Sequence, residues 1–329
     1  MTSASDPAEA LVVGRVGVDL TPEEPRTSLA QAASFVRAVG GFAGNIATGL
    51  ARLGVATAVA SAVGDDGHGE HVRSALASEG IDVSSLRVKP AARTQVAFFE
   101  AWPPDRFPVT FYRPAPAPDT LLTGHDLPDD LLETAPLVIL SSALLAVEPA
   151  RTAALDALVR RAAASGSRTR SWTVLDLDWR PTLWPDPAEY PGGIERALSS
   201  CDVVIGSDEE FGAARLAPEA ALIGSDGRPR VVVVKHGPDG VSLLTGGSTR
   251  LVAGIAVDVV CGLGAGDALT AAFGAGLLAG LEPLAALKRG NAAGAIVASR
   301  LMCSSAMPTA AEIDAMIGAS GTSRRELPA

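Results

Sequence analysis

The sequence has few aromatic residues and little positive charge, and each shortage excludes a class of protein. Aromatic residues make up 4% of the 329 residues, too few for a surface that stacks single-stranded bases. Lysine and arginine number 27 against 37 aspartate and glutamate residues, so the net charge is −10. Binding to nucleic acid or to an anionic membrane requires a basic face. We therefore expect neither as a partner.

Cysteines and long apolar segments are also scarce. Cys201, Cys261 and Cys303 are far apart and odd in number, which is typical of neither a disulfide framework nor a zinc motif. The longest apolar run without a charge, 268–281, has 14 residues, whereas a membrane helix needs about 20. The first residues lack the basic segment of a secretory signal. These features predict a protein of the reducing cytoplasm.

The sequence does contain a regular alternation of valine-rich and helix-like segments. The predicted strands span 11–20, 56–63, 137–142, 172–178, 203–206 and 231–235. The predicted helices span 42–53, 68–78, 149–164, 267–281, 283–301 and 309–317. This alternation predicts an α/β fold whose mostly parallel sheet is covered by helices on both faces.

Two predicted hairpins interrupt the alternation. The segments 94–101 and 108–113 form the first, with a proline-containing turn, and the second lies around 237–240. We expect the first hairpin to form a small lid at one edge of the sheet. The expected organisation is one domain over 11–318, with the lid from about 15–38 and 92–116. Mobile tails are expected at 1–10 and 319–329.

A glycine-rich loop precedes the helix predicted from Asp267. Successive glycines let backbone N–H groups point at one spot, and the helix N-terminus adds partial positive charge. The loop can therefore bind the charge of a phosphoryl group, while Asp267 takes the proton of an attacking hydroxyl. A tight turn with an acidic helix cap is the alternative. The loop contains Gly262, Gly264, Ala265 and Gly266.

A second glycine-rich start opens the first predicted helix. Gly40 and Gly41 allow close backbone approach, and Asn45 can hydrogen-bond hydroxyl groups of a polyol. Asp19, at the end of the first predicted strand, can do the same. The alternatives are an ordinary loop with an asparagine near a helix cap and a solvated carboxylate.

These motifs, in this order and spacing, resemble the two signatures of the ribokinase/PfkB family of carbohydrate kinases. The resemblance covers about 11–317 and also includes the Gly-Asp-Asp-x-x-Gly segment at 64–69. It implies a ribokinase-like three-layer α/β/α sandwich with a small β lid, and it implies phosphorylation of a sugar hydroxyl with ATP and Mg²⁺. In such an enzyme Asp267 is the catalytic base, and the backbone of Gly264, Ala265 and Gly266 is the anion hole.

Four further segments, 107–113, 176–184, 291–300 and 303–309, resemble the 5-dehydro-2-deoxygluconokinase branch of that family. The resemblance implies a role in inositol catabolism and a six-carbon keto acid that is phosphorylated on its terminal hydroxyl. The related 2-keto-3-deoxygluconate kinases share part of these features. That activity, a neutral-sugar kinase of the fructokinase or ribokinase type, and a non-catalytic nucleotide or sugar sensor remain alternatives.

Two arginines favour an acid as substrate. Arg113 ends a predicted lid strand that also contains the aromatic Phe111, and Arg180 follows a predicted core strand. A planar guanidinium can hold a carboxylate through two parallel hydrogen bonds. The alternative is that each arginine is solvated or paired with an aspartate. We expect Phe111, Arg113 and Arg180 to contact the substrate, together with Asp19, Gly40, Gly41 and Asn45.

The nucleotide side is expected on the later part of the chain. The segment 235–240 resembles the nucleotide-side loop of the family, so Lys235, Gly237 and Gly240, with Gly262, are expected near the ATP phosphates. Asn291 is expected near the adenine, although a core helix explains it almost as well.

Two positions depart from the family pattern. Ser207 replaces the asparagine of the family's Asn-x-x-Glu motif, which leaves Glu210 as a candidate for binding Mg²⁺ through water; a helix capping box also explains Ser-x-x-Glu. Cys261 replaces an aspartate, which puts a monovalent-cation site in doubt, and a buried apolar role is favoured over a nucleophile. By analogy with the family, we expect a homodimer formed through the lid.

Overall fold

The computed structural model describes residues 7–165, 171–224 and 229–323. Within these residues the strands are β1 (Ala10–Val13), β2 (Gly17–Pro22), β3 (Phe35–Gly40), β4 (Thr57–Gly64), β5 (Leu86–Lys89), β6 (Val96–Phe99), β7 (Val109–Tyr112), β8 (Leu137–Ser141), β9 (Trp172–Asp176), β10 (Val203–Ser207), β11 (Val231–Lys235), β12 (Gly240–Thr245) and β13 (Ser248–Ala253). Residues 1–6 and 324–329, which belong to the two predicted tails, lie outside the described residues.

The α-helices follow the strands in the order that the alternation predicts. They are α1 (Phe42–Arg52), α2 (Gly67–Ser78), α3 (Asp129–Thr134), α4 (Ala150–Ser165), α5 (Tyr190–Leu198), α6 (Asp208–Ala213), α7 (Pro218–Ala221), α8 (Ala265–Leu278), α9 (Pro283–Ala298) and α10 (Ala310–Ser323). None of the described helices is both long and apolar enough to cross a bilayer.

The main sheet has the strand order β13-β12-β11-β10-β9-β8-β1-β4-β5. The strands from β11 to β5 run parallel, and β12 and β13 pair antiparallel at one edge. Alternate residues of β1 enter two different apolar clusters. Leu11 and Val13 belong to the same apolar cluster as Leu158 of α4, whereas Val12 belongs to the cluster that contains Ile46 of α1. Helices therefore cover both faces, and the predicted three-layer α/β/α fold is confirmed.

The strand predicted over 11–20 is wrong in its extent. The chain divides there into β1, in the main sheet, and β2, in a second sheet with the order β3-β2-β6-β7. At Gly14 a Cβ atom would lie 2.9 Å from the Phe42 ring, and the Arg15 carbonyl accepts a hydrogen bond from the Ala43 N–H at 3.0 Å. This close packing against the start of α1 turns the chain out of the main sheet.

The two predicted hairpins are both present. The first forms β6 and β7 of the small sheet, and β2 and β3 complete that sheet beside it. The second joins β11 to β12 through Gly240, whose φ is +113°. A Cβ atom at Gly240 would lie 2.1 Å from the Val252 carbonyl oxygen, so the turn requires glycine. The small sheet stands over the carboxyl ends of the parallel strands, where open α/β sheets bind ligands.

Candidate active site

A cavity of about 330 Å³ lies between the small sheet and the start of α8. The small sheet contributes mainly apolar walls, and the main sheet and α8 contribute charged side chains. The charged and amide side chains that line it are Arg15, Asp19, Asn45, Gln95, Asp178, Arg180 and Asp267. Elements that are far apart in sequence therefore bring their polar groups to one place.

Asp267 lies in the first turn of α8 at the wall of this cavity. Its Oδ2 atom accepts a hydrogen bond from Nδ2 of Asn45 at 2.7 Å, across 222 residues of sequence. Burial, and after it the negative charge of Asp178, raises the pKa of Asp267 to about 7. The buried Oδ1 atom of Asn45 has no partner among the described residues. A substrate hydroxyl can therefore donate to Asn45 Oδ1 or lose its proton to Asp267.

The loop before Asp267 has the geometry of an anion hole. Gly264 has a φ of +80°, and a Cβ atom there would lie 2.9 Å from the Cys303 Cβ atom, so the turn depends on glycine. The N–H groups of Ala265 and Gly266 open α8 and have no acceptor among the described residues. At Gly266 a Cβ atom would lie 3.5 Å from Lys235 Nζ. Amide donors and an ammonium group thus converge on one side of Asp267.

Asp19 lies on β2 and also lines the cavity. It fits there because Gly40, which lies diagonally across from it on β3, has no side chain: a Cβ atom would lie 1.9 Å from Asp19 Oδ1. Burial raises the pKa of Asp19 to about 6, although the Cys303 thiol and Arg15 oppose this. Gly41, with a φ of +84°, lets the chain enter α1 beside Arg15. Asp19 and Asn45, the two side chains predicted to bind a polyol, therefore line the same cavity.

Lys235 is held between two carboxylates next to the glycine loop. Its Nζ atom lies 3.4 Å from Asp176 Oδ1 and 3.2 Å from Glu210 Oε2. Burial disfavours the ammonium charge, but Asp176 and Glu210 outweigh it and raise the pKa of Lys235. Burial also raises the pKa of Asp176. Asp176, which Thr270 binds through a 2.8 Å hydrogen bond, was not predicted as a site residue.

Glu210 takes part in the capping box that its sequence pattern allows. Its Oε2 accepts from the Ser207 N–H at 2.7 Å, and Ser207 Oγ accepts from the Glu210 N–H at 3.2 Å. Among the described residues, no group of three histidine, cysteine or acidic side chains is arranged to hold a metal ion. A Mg²⁺ ion at this place would have to take most of its ligands from phosphate and water, as that ion commonly does. The single carboxylate of Glu210 fits such a site.

Two arginines share the Asp178 carboxylate in the cavity. Arg15 donates from Nη1 to Oδ2 at 2.8 Å and from Nη2 to Oδ1 at 3.2 Å. Ser141 Oγ donates to the same carboxylate at 2.6 Å, and Arg180 Nη2 lies 3.4 Å from it. Despite burial, Arg15 and Arg180 hold the pKa of Asp178 at about 2. The φ of Asp178 is +26°, a strained value for this residue type that the surrounding bonds maintain.

The structure places Arg113 differently from the prediction. Its guanidinium donates to both oxygens of Asp119, at 2.9 and 2.7 Å, and to Gln95 Oε1. It is not among the side chains that line the cavity, whereas Phe111 is. The bidentate bond to buried Asp119 matches the charge of Arg113 in this position. The alternative of pairing with an aspartate therefore describes Arg113 in this structure.

The other predicted nucleotide-side residues lie outside this cavity. Gly237 and Gly240 form the turn after β11, with φ values of +59° and +113°. Gly262 packs against Phe107, whose ring would be 3.1 Å from a Cβ atom. Asn291 Nδ2 donates to the Ala253 carbonyl at 2.9 Å and so ties α9 to β13. This bond gives Asn291 a structural role on a core helix, which is the alternative that the sequence analysis left open.

Besides Asp176, sequence reasoning missed three polar residues that line the cavity: Arg15, Gln95 and Asp178. Arg15 is 6% exposed and Asp178 is 4% exposed. A charge in the middle of an apolar segment is the signal that was available, because charged residues are almost never buried without a partner. The pattern could not identify the partner, since 163 residues separate these two.

Comparisons with known proteins bear on the whole chain. The model of the pfkB family of carbohydrate kinases matches residues 7–310. A 5-dehydro-2-deoxygluconokinase of Clostridium tetani is 32% identical over 323 residues, which covers 94% of this chain and 93% of that protein. The crystal structure of a PfkB protein from Polaromonas sp. has a TM-score of 0.78 and 27% identity, and covers 94% of this chain and 100% of that one. A fructokinase of Vibrio cholerae in a form bound to fructose, ADP and calcium ion has a TM-score of 0.80 and 26% identity, over 95% and 100% of the two chains.

Proposed function

The chain belongs to the PfkB family of carbohydrate kinases, and from this premise we propose that it transfers a phosphoryl group from ATP to the terminal hydroxyl of a sugar acid. The acid that we propose is 5-dehydro-2-deoxygluconate, because the relative from Clostridium tetani is named for it and is similar over nearly its whole length. 2-Keto-3-deoxygluconate and neutral sugars such as fructose are the alternatives. The two arginines in the cavity support an acid.

One observation carries the proposal: a carboxylate of raised pKa stands beside a row of free amide donors. Asp267 has a pKa of about 7, which suits a group that must accept a proton near neutral pH. Asn45 fixes its orientation through the 2.7 Å hydrogen bond. Asp267 takes the proton of the terminal hydroxyl, and the N–H groups of Ala265 and Gly266 stabilise the charge that develops on the transferred group.

The nucleotide is proposed to lie on the other side of the glycine loop. When bound, ATP and Mg²⁺ supply the γ-phosphoryl group and neutralise part of its charge. Lys235 would exchange its carboxylate partners for phosphate oxygens, and Glu210, still bonded to the Ser207 N–H through Oε2, would hold Mg²⁺ through water. Gly237, Gly240 and Gly262 would allow the backbone to approach the nucleotide.

The location and the assembly that we propose are a reducing cytoplasm and a homodimer. The buried free thiols support a reducing location: burial raises the pKa of Cys261 to about 11, so this thiol is a poor nucleophile.

The small sheet supports the homodimer. Phe98 stacks edge-on against Phe35 and Tyr112, with ring centroids 5.6 and 5.4 Å apart. Phe111 lines the cavity, so the neighbouring Tyr112 faces away from it, on a surface that a second copy can cover.

ADP release over a panel of acceptors tests the proposed function. The panel contains 5-dehydro-2-deoxygluconate, 2-keto-3-deoxygluconate, fructose, ribose and a nucleoside. We expect the highest kcat/KM for the first acid. In the Asp267→Asn variant we expect kcat to fall by about 10²- to 10⁴-fold, because the proton acceptor is lost, while ATP still binds in calorimetric titration.

The matched control is Asp156→Asn, which removes an exposed carboxylate of α4 and should leave kcat unchanged. Undiminished turnover of Asp267→Asn would contradict the assignment of the base. Binding of ATP without ADP release on any acceptor would favour the sensor alternative over an enzyme.

A further inference from the structure

Two arginines line the cavity, and they are not the pair that the sequence predicted. Arg15 and Arg180 are the cationic side chains among its described lining residues, whereas Arg113 is absent from that set. Asp178 lies between Arg15 and Arg180 and contacts both. A carboxylate that enters the cavity therefore meets these two guanidinium groups.

Arg15 has spare hydrogen-bonding capacity although it is buried. A guanidinium carries five N–H donors, and the structure shows two of them used, both on Asp178. The rest have no acceptor among the described residues. The side chain is 7% exposed and lines the cavity. Unmet donors on a buried charge favour a bound acceptor.

Arg180 is held only loosely by its carboxylate partners, although its Nη1 donates to the Trp179 carbonyl at 2.9 Å. Its Nη2 lies 3.4 Å from Asp178 Oδ1 and its Nη1 lies 3.9 Å from Glu210 Oε1, both longer than a strong charge-assisted hydrogen bond of about 2.8 Å. Its side chain is 45% exposed. A ligand carboxylate can therefore draw Arg180 in, while Ser141 and Arg15 continue to hold Asp178 in place.

We propose that Arg15 and Arg180 together form the carboxylate subsite of the substrate, with Arg15 as the specificity-determining residue. This inference rests on the proposed sugar-acid kinase function. Asp178 keeps the two guanidinium groups side by side and screens their repulsion, which leaves the pair with a net charge of one for the acid. Asp267 and Asp19 lie at the same cavity and favour hydroxyl groups there, so the acid end of the substrate binds at Arg15 and its terminal hydroxyl at Asp267.

Arg113 has a different role in this arrangement, that of a positioning residue. It donates to Gln95 Oε1, and Gln95 Nε2 donates to the Val16 carbonyl at 2.7 Å. These two bonds fix the orientation of the Gln95 amide group. The two hydrogen bonds to Asp119 hold the Arg113 guanidinium in place. Loss of Arg113 therefore disturbs the wall that Gln95 forms, for a charged and for an uncharged substrate alike.

The experiment compares an acid with its own carboxamide, which differs in charge and little in shape. Values of kcat/KM for 5-dehydro-2-deoxygluconate and its carboxamide are measured for the parent and for Arg15→Gln, Arg180→Gln and Arg113→Gln. For the first two variants we expect the acid to lose on the order of tenfold to a hundredfold, mainly through KM, and the carboxamide to change by less than about threefold. Arg113→Gln should lower both substrates by the same factor.

Arg289→Gln is the control for loss of an arginine, because Arg289 pairs with Asp314 at the surface, outside the cavity; it should change neither substrate. An equal loss for acid and carboxamide in Arg15→Gln would overturn the inference, as would loss of acid preference in Arg113→Gln. If Arg15→Gln does not fold, the double variant Arg15→Gln with Asp178→Asn removes both buried charges and is judged by the same ratio. A parent enzyme that does not prefer the acid contradicts the proposed function itself.

Discussion

At the scale of single residues, the protonation of Asp267 governs the proposed reaction. Its pKa of about 7 in the free protein means that the base is largely protonated below neutral pH. We therefore expect kcat/KM to rise about tenfold per pH unit up to about pH 7 and to level off above it, since this parameter reports the free enzyme. Initial rates across that pH range test this expectation, and a profile that is flat between pH 5 and pH 7 would contradict it.

Unfolding gives a control that does not depend on activity. The folded-state pKa of Asp267 lies above the value of 3.8 for an ordinary aspartate, so the folded state binds more protons between these two values. Protonation thus stabilises the fold at low pH, and this contribution is lost as pH rises towards 7. Asp267→Asn should raise the free energy of unfolding in urea by on the order of 3 kcal/mol at about pH 8 and hardly change it at about pH 4.

At the scale of elements, the start of α8 depends on a glycine that no other residue can replace without strain. Gly264→Ala places a side chain at a φ of +80° and within 2.9 Å of Cys303 Cβ. We expect a loss of about 1–3 kcal/mol in unfolding free energy and a fall in kcat, because the amide donors of Ala265 and Gly266 shift. Gly212→Ala is the matched control: it lies in α6 with no atom near its added Cβ, and it should be neutral or stabilising.

The elements themselves were largely predictable, and their pairing was not. Valine-rich runs such as β11 and the glycine stop after α1 carry their own local signal, and the comparisons confirm the fold that they predict. The division of 11–20 into β1 and β2 depends on the fit of Gly14 against Phe42, which lies 28 residues away. The strand β7 ends at Tyr112, one residue before the predicted end at Arg113. The direction of the Arg113 side chain depends on Asp119 and Gln95, and spacing alone cannot give the partner of a side chain.

At the scale of the whole molecule, a protein with a net charge of −10 needs positive charge close to the site if it is to bind the two anionic substrates that we propose. Amide donors, Lys235, Arg15 and Arg180 supply it at the carboxyl ends of the strands, where the sheet topology gathers them. A bound anion in contact with these groups lies about 3–4 Å from them, well within the Debye length of about 8 Å at physiological salt, so salt screens the attraction only weakly. The remaining surface keeps its negative charge, which disfavours association except where an apolar patch outweighs it.

The outer face of the small sheet is such a patch, and it predicts how the protein assembles. Tyr112 is 64% exposed although it stacks on Phe98, and contiguous exposed aromatic surface commonly marks an interface. Tyr112→Glu should convert a dimer into monomers in sedimentation velocity, because it buries a charge between two copies that already repel. Leu251→Glu, equally exposed at 65% but on the edge strand β13, should leave the dimer intact. A monomeric parent, or dissociation caused by Leu251→Glu alone, would place the interface elsewhere than on the lid.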